Sequence, residues 1–312
     1  MDTFRYLADH HTTLPEGTEL LQDLAQFTAS GLTRGAIYAL VGAGFAIIYS
    51  ASNVINFAQG EFVMLGGMVT AFLAVTMGLL PVWLAIPVAI LFTVLVGVGL
   101  YRLAVAKIEA SRIATIIIIT IGTSILIRGA VEVALGKREF VYPAFTPSGP
   151  LMLFGAAVDV QSLWVLGALA AVAAGLKLFF DHTLYGKAMR AAAQNPVAAQ
   201  LVGIDVHSVL VASFALSAAL GALAGAFVTP ITLTRFDVGL MLGLKGFAAT
   251  MLGGLGSPYG ALAGGLLLGL AEALAGGYIS SGYQDAVAFV LLLCLLFFRP
   301  AGLFGRVKLE RV

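Results

Sequence analysis

The chain contains little charge and a single cysteine. Only 11% of its 312 residues are Asp, Glu, Lys or Arg, whereas 60% are hydrophobic. A soluble globular domain carries about 25% charged residues, so the composition excludes that class. Cys294 has no second cysteine in the chain, which excludes an intramolecular disulfide. The scarcity of charge therefore indicates a protein that lies in a membrane.

Long apolar runs fill most of the chain. A bilayer core about 30 Å thick needs roughly 20 apolar helical residues. Barrel strands would alternate apolar and polar residues, whereas Ile113 to Ile127 is apolar almost throughout. We therefore predict an all-α polytopic membrane protein with eight or nine transmembrane helices. The predicted spans lie at residues 31–50, 58–78, 83–104, 113–135, 162–180, 208–229, 258–276 and 283–299, with a short or re-entrant segment near 240–255.

The basic residues predict which side each loop faces. Most Lys and Arg lie near residues 102–112, 177–190 and 299–311. Because cytoplasmic loops are enriched in these residues, we expect the C-terminus in the cytoplasm and the N-terminus outside. Opposite-side termini require an odd number of crossings, so the short segment is expected to cross.

Three regions follow from this topology. Residues 1–30 are polar and lack the basic start of a cleaved signal, so they read as a periplasmic leader. Residues 31–305 form one transmembrane domain, and residues 306–312 form a cytoplasmic tail. The outer loop at 136–161 is either a solvated connector or a docking surface for an external partner.

A polar run interrupts the apolar sequence after the first span. It contains Asn53, Asn56, Gln59 and Glu61. Polar groups at membrane depth are costly unless they face protein or water. Three interpretations stay open: helix capping, with the Glu61 carboxylate at a helix N-terminus, a gate or cavity lining, and direct contact with a solute.

A few charged residues fall within the predicted spans. Arg128 and Glu132 are four residues apart, so they share a helix face and are expected to pair. Lys245 and Glu272 are expected to compensate each other between the short segment and the next span. A transport role is the alternative for each of these groups.

Several glycine pairs have the small-xxx-small spacing that lets helices approach closely. They are expected to pack helices, and Gly264 is in addition a candidate for room along a solute path. The pairs are Gly31/Gly35, Gly221/Gly225, Gly260/Gly264 and Gly265/Gly269.

The inner loop at 181–207 is the most organised loop in the chain. Gly186 is expected to end the preceding helix, and residues 187–194 are rich in helix formers. Asn195 and Pro196 can cap and begin a second short helix, which Gly203 then closes. The loop is either a plain amphipathic surface loop or a docking element for a cytoplasmic partner.

Five stretches, taken in order, resemble one family. They are residues 35–40, 55–61, 190–204, 252–261 and 299–305. Together they are similar to the permease family of branched-chain amino acid ABC transporters, on its H-type subunit. The resemblance implies a bacterial inner-membrane importer with a second permease subunit, two cytoplasmic ATPases and a periplasmic solute-binding protein. Relatives also carry urea, short amides or aromatic acids, so the solute stays open.

The resemblance also implies which residues act. In such importers a short helix of the permease enters a groove of the ATPase. The matching candidates for ATPase coupling are Tyr185, Gly186, Arg190, Asn195, Ala199, Leu201, Gly203 and Ile204. The candidates for a gate or translocation path come instead from the polar break and from residues within the spans, and they are Asn53, Asn56, Gln59, Glu61, Gly264 and Glu272.

The sequence disfavours two other classes of function. An ion-coupled secondary transporter needs acidic residues deep in its spans, whereas those here are expected near span ends. An intramembrane enzyme needs clustered catalytic residues, and the four histidines fall outside the spans. Because no Gly-x4-Gly-Lys-Ser/Thr motif occurs, this chain is expected to bind no nucleotide of its own. The histidines form no metal-spaced cluster, so no metal is expected, and no other cofactor or nucleic acid is expected either. The prediction is a non-enzymatic permease subunit that works by alternating access, with partner subunits hydrolysing ATP.

Overall fold

A computed structural model describes residues 16–108, 112–153, 155–299 and 301–305. The helices are α1 (Glu16–Ser52), α2 (Gln59–Ala71, continued by a π-helical turn Phe72–Thr76), α3 (Val82–Leu103), α4 (Ile113–Leu135), α5 (Val160–His182), α6 (Leu184–Gln194), α7 (Pro196–Leu201), α8 (Val206–Thr232), α9 (Val238–Gly253), α10 (Pro258–Tyr278) and α11 (Gln284–Phe298). Within these ranges eight helices are long and apolar enough to cross a membrane. The prediction of an all-α polytopic membrane protein is confirmed.

The first helix is longer than expected. It begins at Glu16, 15 residues before the predicted start of the span at residue 31. The residues from 16 to 30 include Glu, Gln, Leu and Ala, which favour a helix although the segment is not uniformly apolar. The helix runs unbroken across residue 30, the predicted end of the leader. Residues 1–15 and the predicted tail at 306–312 lie outside the described residues, so this division of the chain stays a prediction.

Glycines bring the central helices into backbone contact. A Cβ atom on Gly35 of α1 would lie 2.8 Å from the Leu266 Cα of α10. One on Gly225 of α8 would lie 1.8 Å from the Val63 carbonyl oxygen of α2. These separations leave no space for a side chain, so small residues are required at both contacts. The expected packing role of the small-residue pairs is confirmed.

The peripheral helices present apolar side chains outward. Leu126 of α4 and Phe297 of α11 are 70% and 83% exposed. A bilayer or a neighbouring subunit can cover such faces, whereas water would not favour them. The central helices α1, α2 and α8 to α10 carry most of the buried residues.

The loop at 181–207 and the chain segments that adjoin it lie at one end of the bundle. We call it the loop end. A cavity there is lined by Tyr49, Arg190, Ser257 and Phe304 among others. The final segment packs against the same end, since the Leu303 N–H donates to the Leu252 carbonyl at 2.8 Å.

The opposite end carries the segment between α4 and α5. Phe140 and Thr234 form an antiparallel bridge, and two short strands, β1 (Leu151–Leu153) and β2 (Ala156–Val158), pair as a hairpin. The Tyr142 hydroxyl donates to the Ala226 carbonyl oxygen of α8. The loop at 136–161 is therefore folded onto the bundle, and these strands were not predicted.

The short helix α9 connects both ends of the bundle. It has 16 residues and begins four residues after Thr234, at the end that carries the hairpin. Its last residue, Gly253, accepts a hydrogen bond from the Phe304 N–H at the loop end. The described chain therefore passes between the ends nine times, the odd number expected from the topology.

Candidate functional site

Two short helices form the body of the 181–207 loop. The Asn195 side chain accepts a hydrogen bond from the Ala198 N–H at 3.0 Å, and Pro196 opens α7. Gly203 has a φ of +87°, and a Cβ there would meet nothing within 4 Å, so the backbone conformation is what favours glycine. The two predicted helices and the closing role of Gly203 are confirmed.

The expectation for Gly186 is wrong. Helix α5 ends at His182, and Gly186 lies in the first turn of α6. The Thr183 hydroxyl accepts a hydrogen bond from the Gly186 N–H at 3.0 Å and therefore caps α6. A Cβ on Gly186 would lie 2.2 Å from the Phe179 carbonyl oxygen, so glycine is needed here for close packing rather than for a helix stop.

The two short helices present some candidate coupling residues outward and bury others. Tyr185 and Leu201 are 58% and 84% exposed, whereas Ala199 is buried. Asn195 is exposed, and Ile204 is half-buried against the core of the bundle. The loop thus has an exposed surface that includes apolar side chains and an inner surface that rests on the helices.

Arg190 connects α6 to the end of α5. Its guanidinium lies 3.2 Å from an Asp181 carboxylate oxygen and also donates to the Phe180 carbonyl. Both side chains of the ion pair are about half exposed. Arg190 also lines the 500 Å³ cavity at the loop end, together with Asn53 and residues of the turn between α9 and α10. Arg190 therefore lies beside the ends of α1 and α5 and the turn between α9 and α10.

The polar run after α1 begins at an exposed residue, Asn53, and continues to buried side chains at Asn56, Gln59 and Glu61. Asn53 has a φ of +54°, and the Asn56 side chain accepts a hydrogen bond from the Ala58 N–H at 3.1 Å. Gln59 donates to the Ser217 carbonyl at 3.1 Å, while the Ser217 hydroxyl donates to Gln59 at 2.5 Å and lies within 2.9 Å of the Gly44 carbonyl. Asn56 thus stabilises a local turn, and Gln59 joins α1, α2 and α8.

Glu61 is fully buried in the first turn of α2 and pairs across to α4. Its Oε1 accepts hydrogen bonds from Arg128 at 2.6 Å and from Ser124 at 2.8 Å. The predicted pair of Arg128 with Glu132 is wrong, because Glu132 pairs with Lys137 at 3.1 Å. A carboxylate removed from water gains more from a cation than an exposed one does, so Arg128 turns inward.

A second charged cluster joins α1, α9, α10 and α11. Lys245 lies 2.5 Å from a Glu272 oxygen, 2.6 Å from an Asp285 oxygen and 3.2 Å from the Tyr38 hydroxyl. The predicted pair of Lys245 and Glu272 is confirmed, while Asp285 and Tyr38 were missed. Glu61 and Glu272 are both only 1% exposed, so these carboxylates lie inside the bundle rather than at exposed span ends.

Gly264 lies in a helix contact. A Cβ on this residue would be 2.2 Å from the Ala249 carbonyl of α9. In this conformation backbone packing fills the space that a solute path would need at Gly264. The proposed path role of Gly264, like the gate and coupling roles of the other candidates, stays a prediction.

The arrangement defines a multi-pass membrane protein whose spanning helices meet a structured, partly apolar two-helix element at one end. Within this class the chain belongs to the family described as the branched-chain amino acid transport system / permease component, whose model matches residues 27–296. The resemblance in the sequence is thereby confirmed. The family is that of ABC importer permeases, which work with ATPases and a solute-binding protein.

Individual relatives cover nearly the whole chain. The high-affinity branched-chain amino acid transport system permease protein BraD of Pseudomonas aeruginosa is 33% identical over 96% of this chain and 100% of its own length. LivH of Escherichia coli, named in the same way, is 32% identical over 91% of this chain and 96% of its own length. The ribose import permease protein RbsC of Haemophilus influenzae is 29% identical over 85% of this chain and 82% of its own.

Proposed function

We propose that this chain forms the translocation path of an ATP-driven importer for branched-chain amino acids. The names of BraD and LivH support this solute class, since both relatives match nearly end to end. The match to a ribose permease indicates that related chains serve different solutes. A urea or short-chain amide permease of the same family is the alternative.

The structure of the 181–207 loop is the observation that supports the proposal most directly. A connector between two spans needs only a few residues, whereas this loop contains two capped helices with exposed Tyr185 and Leu201. We assign this surface to docking on a partner ATPase. ATP then binds to the partners, and this chain binds no nucleotide or other cofactor.

The loop end is proposed to face the cytoplasm of a bacterial cell. Arg102, Lys107, Lys187, Arg190 and other basic residues lie in its segments, in keeping with the enrichment of Lys and Arg on that side. The opposite end, with the hairpin β1–β2, then faces the solute-binding protein. A second permease subunit completes the membrane assembly.

Force is proposed to pass from the ATPases through α6. Arg190 binds the Asp181 side chain and the Phe180 carbonyl, which both lie at the end of α5. Closure of the ATPases would therefore move α5 together with the docking element. Asn53 and Ser257 line the same cavity as Arg190, so a movement of α6 would also change the surroundings of these two residues. The polar break at residues 53–58 is the proposed gate, because its non-helical backbone separates two helices and can change conformation without unwinding either.

The test is a coupling measurement with the complete complex in proteoliposomes. Arg190→Glu places a carboxylate beside Asp181 and removes the bond to the Phe180 carbonyl. We expect ATP hydrolysis to continue while leucine uptake per ATP falls several-fold. Lys137→Glu, at the opposite end, is the matched control and should keep the wild-type ratio. Normal coupling in the Arg190 variant would refute the assignment.

A further inference from the structure

A small cleft opens at the end of the bundle that carries the hairpin. Its volume is about 270 Å³, near the lower limit of ligand pockets at roughly 300 Å³. Glu139, Arg235 and Asp237 line it, together with apolar groups such as Leu233 and Met241. The cleft therefore offers charges of both signs beside an apolar wall.

Two charged residues of the cleft are already paired. The Arg235 guanidinium donates to both carboxylate oxygens of Asp237, at 2.6 and 2.8 Å. The hydrogen bond from Arg235 lowers the pKa of Asp237, and the charge of Arg128 acts in the same direction. Arg128 is thus close enough to the cleft to influence its carboxylate, although it belongs to the buried pair with Glu61.

The buried pair lies next to the chain segment that forms the cleft. Gly239 follows Asp237 by two residues, and a Cβ on Gly239 would lie 2.8 Å from the Oε2 atom of Glu61. That oxygen and the Nε atom of Arg128 are buried and have no hydrogen-bond partner among the described residues. The ion pair therefore contains one unmatched acceptor and one unmatched donor, which is costly unless another group meets them.

The backbone around the cleft has two unusual features. Leu233 has a φ of +62°, a conformation that residues with a side chain rarely adopt. The first turn of α9 lines the cleft, and α9 approaches α2 most closely at glycines, since a Cβ on Gly60 would lie 2.0 Å from the Gly239 carbonyl oxygen. At these glycines the two backbones meet without intervening side chains.

We propose that the cleft and the Glu61–Arg128 pair beneath it form a binding site for a zwitterionic solute on the translocation path. The solute ammonium binds the carboxylates of Asp237 and then Glu61, and its carboxylate binds Arg235 and then Arg128. This site rests on the proposed function and narrows its solute class. A sugar or urea carries no charge to replace the ion pairs that the solute must open, so an α-amino acid fits and those solutes do not.

The test measures solute binding to the purified membrane complex without its solute-binding protein, so that the measured binding comes from the permease site alone. Radiolabelled leucine is displaced with unlabelled leucine, 4-methylpentanoate, 3-methylbutylamine and ribose. We expect both singly charged analogues to bind about tenfold or more weakly than leucine, because each leaves one charge pair unmet. Asp237→Asn and Glu61→Gln should weaken leucine binding by about the same factor, whereas Glu132→Gln, on the same helix as Arg128 but paired with Lys137, should not.

Several outcomes would overturn the site. These are wild-type affinity in both variants, equal binding of leucine and its singly charged analogues, and no leucine binding by the wild-type complex. A lower melting temperature with unchanged affinity and selectivity would assign the pair a structural role only. Uptake by the complete complex separates the two proposals. Absence of leucine uptake by the wild type refutes the proposed function, whereas uptake that both variants retain in full refutes the site alone.

Discussion

Arg128 of α4 lies 2.6 Å from the carboxylate of Glu61 in the first turn of α2, and it is the closest ionic contact of that buried carboxylate. Helix α4 is otherwise largely exposed, and its buried residues are Ile116, Thr120 and Ser124. The ion pair therefore fixes a peripheral helix to the centre of the bundle. It joins the polar break after α1 to the part of the chain that forms the cleft at the hairpin end.

Removal of one member of this pair is expected to destabilise the protein strongly. Arg128→Ala leaves the Glu61 carboxylate buried without a cation, at a cost of roughly 3–5 kcal/mol, whereas replacing both residues costs less. The melting temperature of the purified chain in detergent should therefore fall more in Arg128→Ala than in the double variant Glu61→Ala/Arg128→Ala. Lys137→Ala breaks an exposed pair and should change stability by less than about 1 kcal/mol. Equal effects of the single and double variants would contradict this account of the pair.

The cluster around Lys245 predicts a related asymmetry. Lys245→Met leaves Glu272 and Asp285 without their shared cation, whereas Asp285→Asn leaves the Lys245–Glu272 pair intact. Asp285 is 60% exposed at its side chain, so its loss is the milder change. We expect Lys245→Met to reduce the yield of folded protein several-fold more than Asp285→Asn. Size-exclusion profiles of the two variants measure this, and identical profiles would show that the cluster contributes little.

Glycine contacts give a prediction about packing. Gly225→Ala places a methyl group against the Val63 carbonyl, so α2 and α8 must separate at a cost of about 1–3 kcal/mol. Gly122 lies within α4 and a Cβ there meets nothing within 4 Å. Gly122→Ala should be neutral or stabilise the helix by up to about 1 kcal/mol. Thermal unfolding of both variants in the same detergent compares them, and an unaffected Gly225 variant would contradict the close approach of these helices.

The Arg235–Asp237 pair predicts a dependence on pH. The hydrogen bond from Arg235 lowers the pKa of Asp237 below its usual 3.8. A carboxyl with a depressed folded-state pKa contributes stability above its unfolded pKa and loses it as pH falls through the folded value. Below pH 3.8 the melting temperature of the wild type should therefore fall more steeply with decreasing pH than that of Asp237→Asn. At higher pH the two curves of melting temperature against pH should run parallel. Parallel curves throughout would mean that the pair does not stabilise the fold.

The caps of the docking element predict an effect on coupling. Asn195→Ala removes the acceptor for the Ala198 N–H and should cost about 1 kcal/mol, nearly all of it in the short helix α7. The protein should still assemble, but uptake per ATP should fall by a few-fold because the docking surface loses its fixed shape. Asn195→Asp keeps the cap and serves as the control. Equal uptake per ATP in both variants would show that the cap is not needed for coupling.

The fold was predictable from composition and from local signals. Apolar runs gave the number of spans, and the order Asn195, Pro196, Gly203 gave the second short helix, because caps and turns act over a few residues. Ion pairs between distant helices were predictable only where few oppositely charged residues lie within the spans. Lys245 with Glu272 was found, whereas Arg128 was assigned to Glu132 because both lie on one helix face. The partner of Arg128 is 67 residues away, and no local pattern in the sequence indicates that α4 passes beside the start of α2.

The start of the first helix and the outer hairpin were missed for physical reasons as well. Residues before Gly31 are polar, and span prediction follows hydropathy, whereas helix formation also follows intrinsic propensity. The hairpin β1–β2 lies in a loop with apolar residues such as Leu151 and Met152, and its pairing depends on a turn at Gly155 with φ +84°. The cleft at the hairpin end was missed because its residues come from separate loops that only the fold brings together.

The most direct test of the central claim is leucine uptake by the complete complex in sealed proteoliposomes, with ATP supplied at the face of the ATPases. The account predicts uptake against a gradient that requires ATP and persists when a proton uncoupler collapses the membrane potential and pH gradient. Uptake without ATP that the uncoupler abolishes, or no leucine uptake with ATP present, would contradict it.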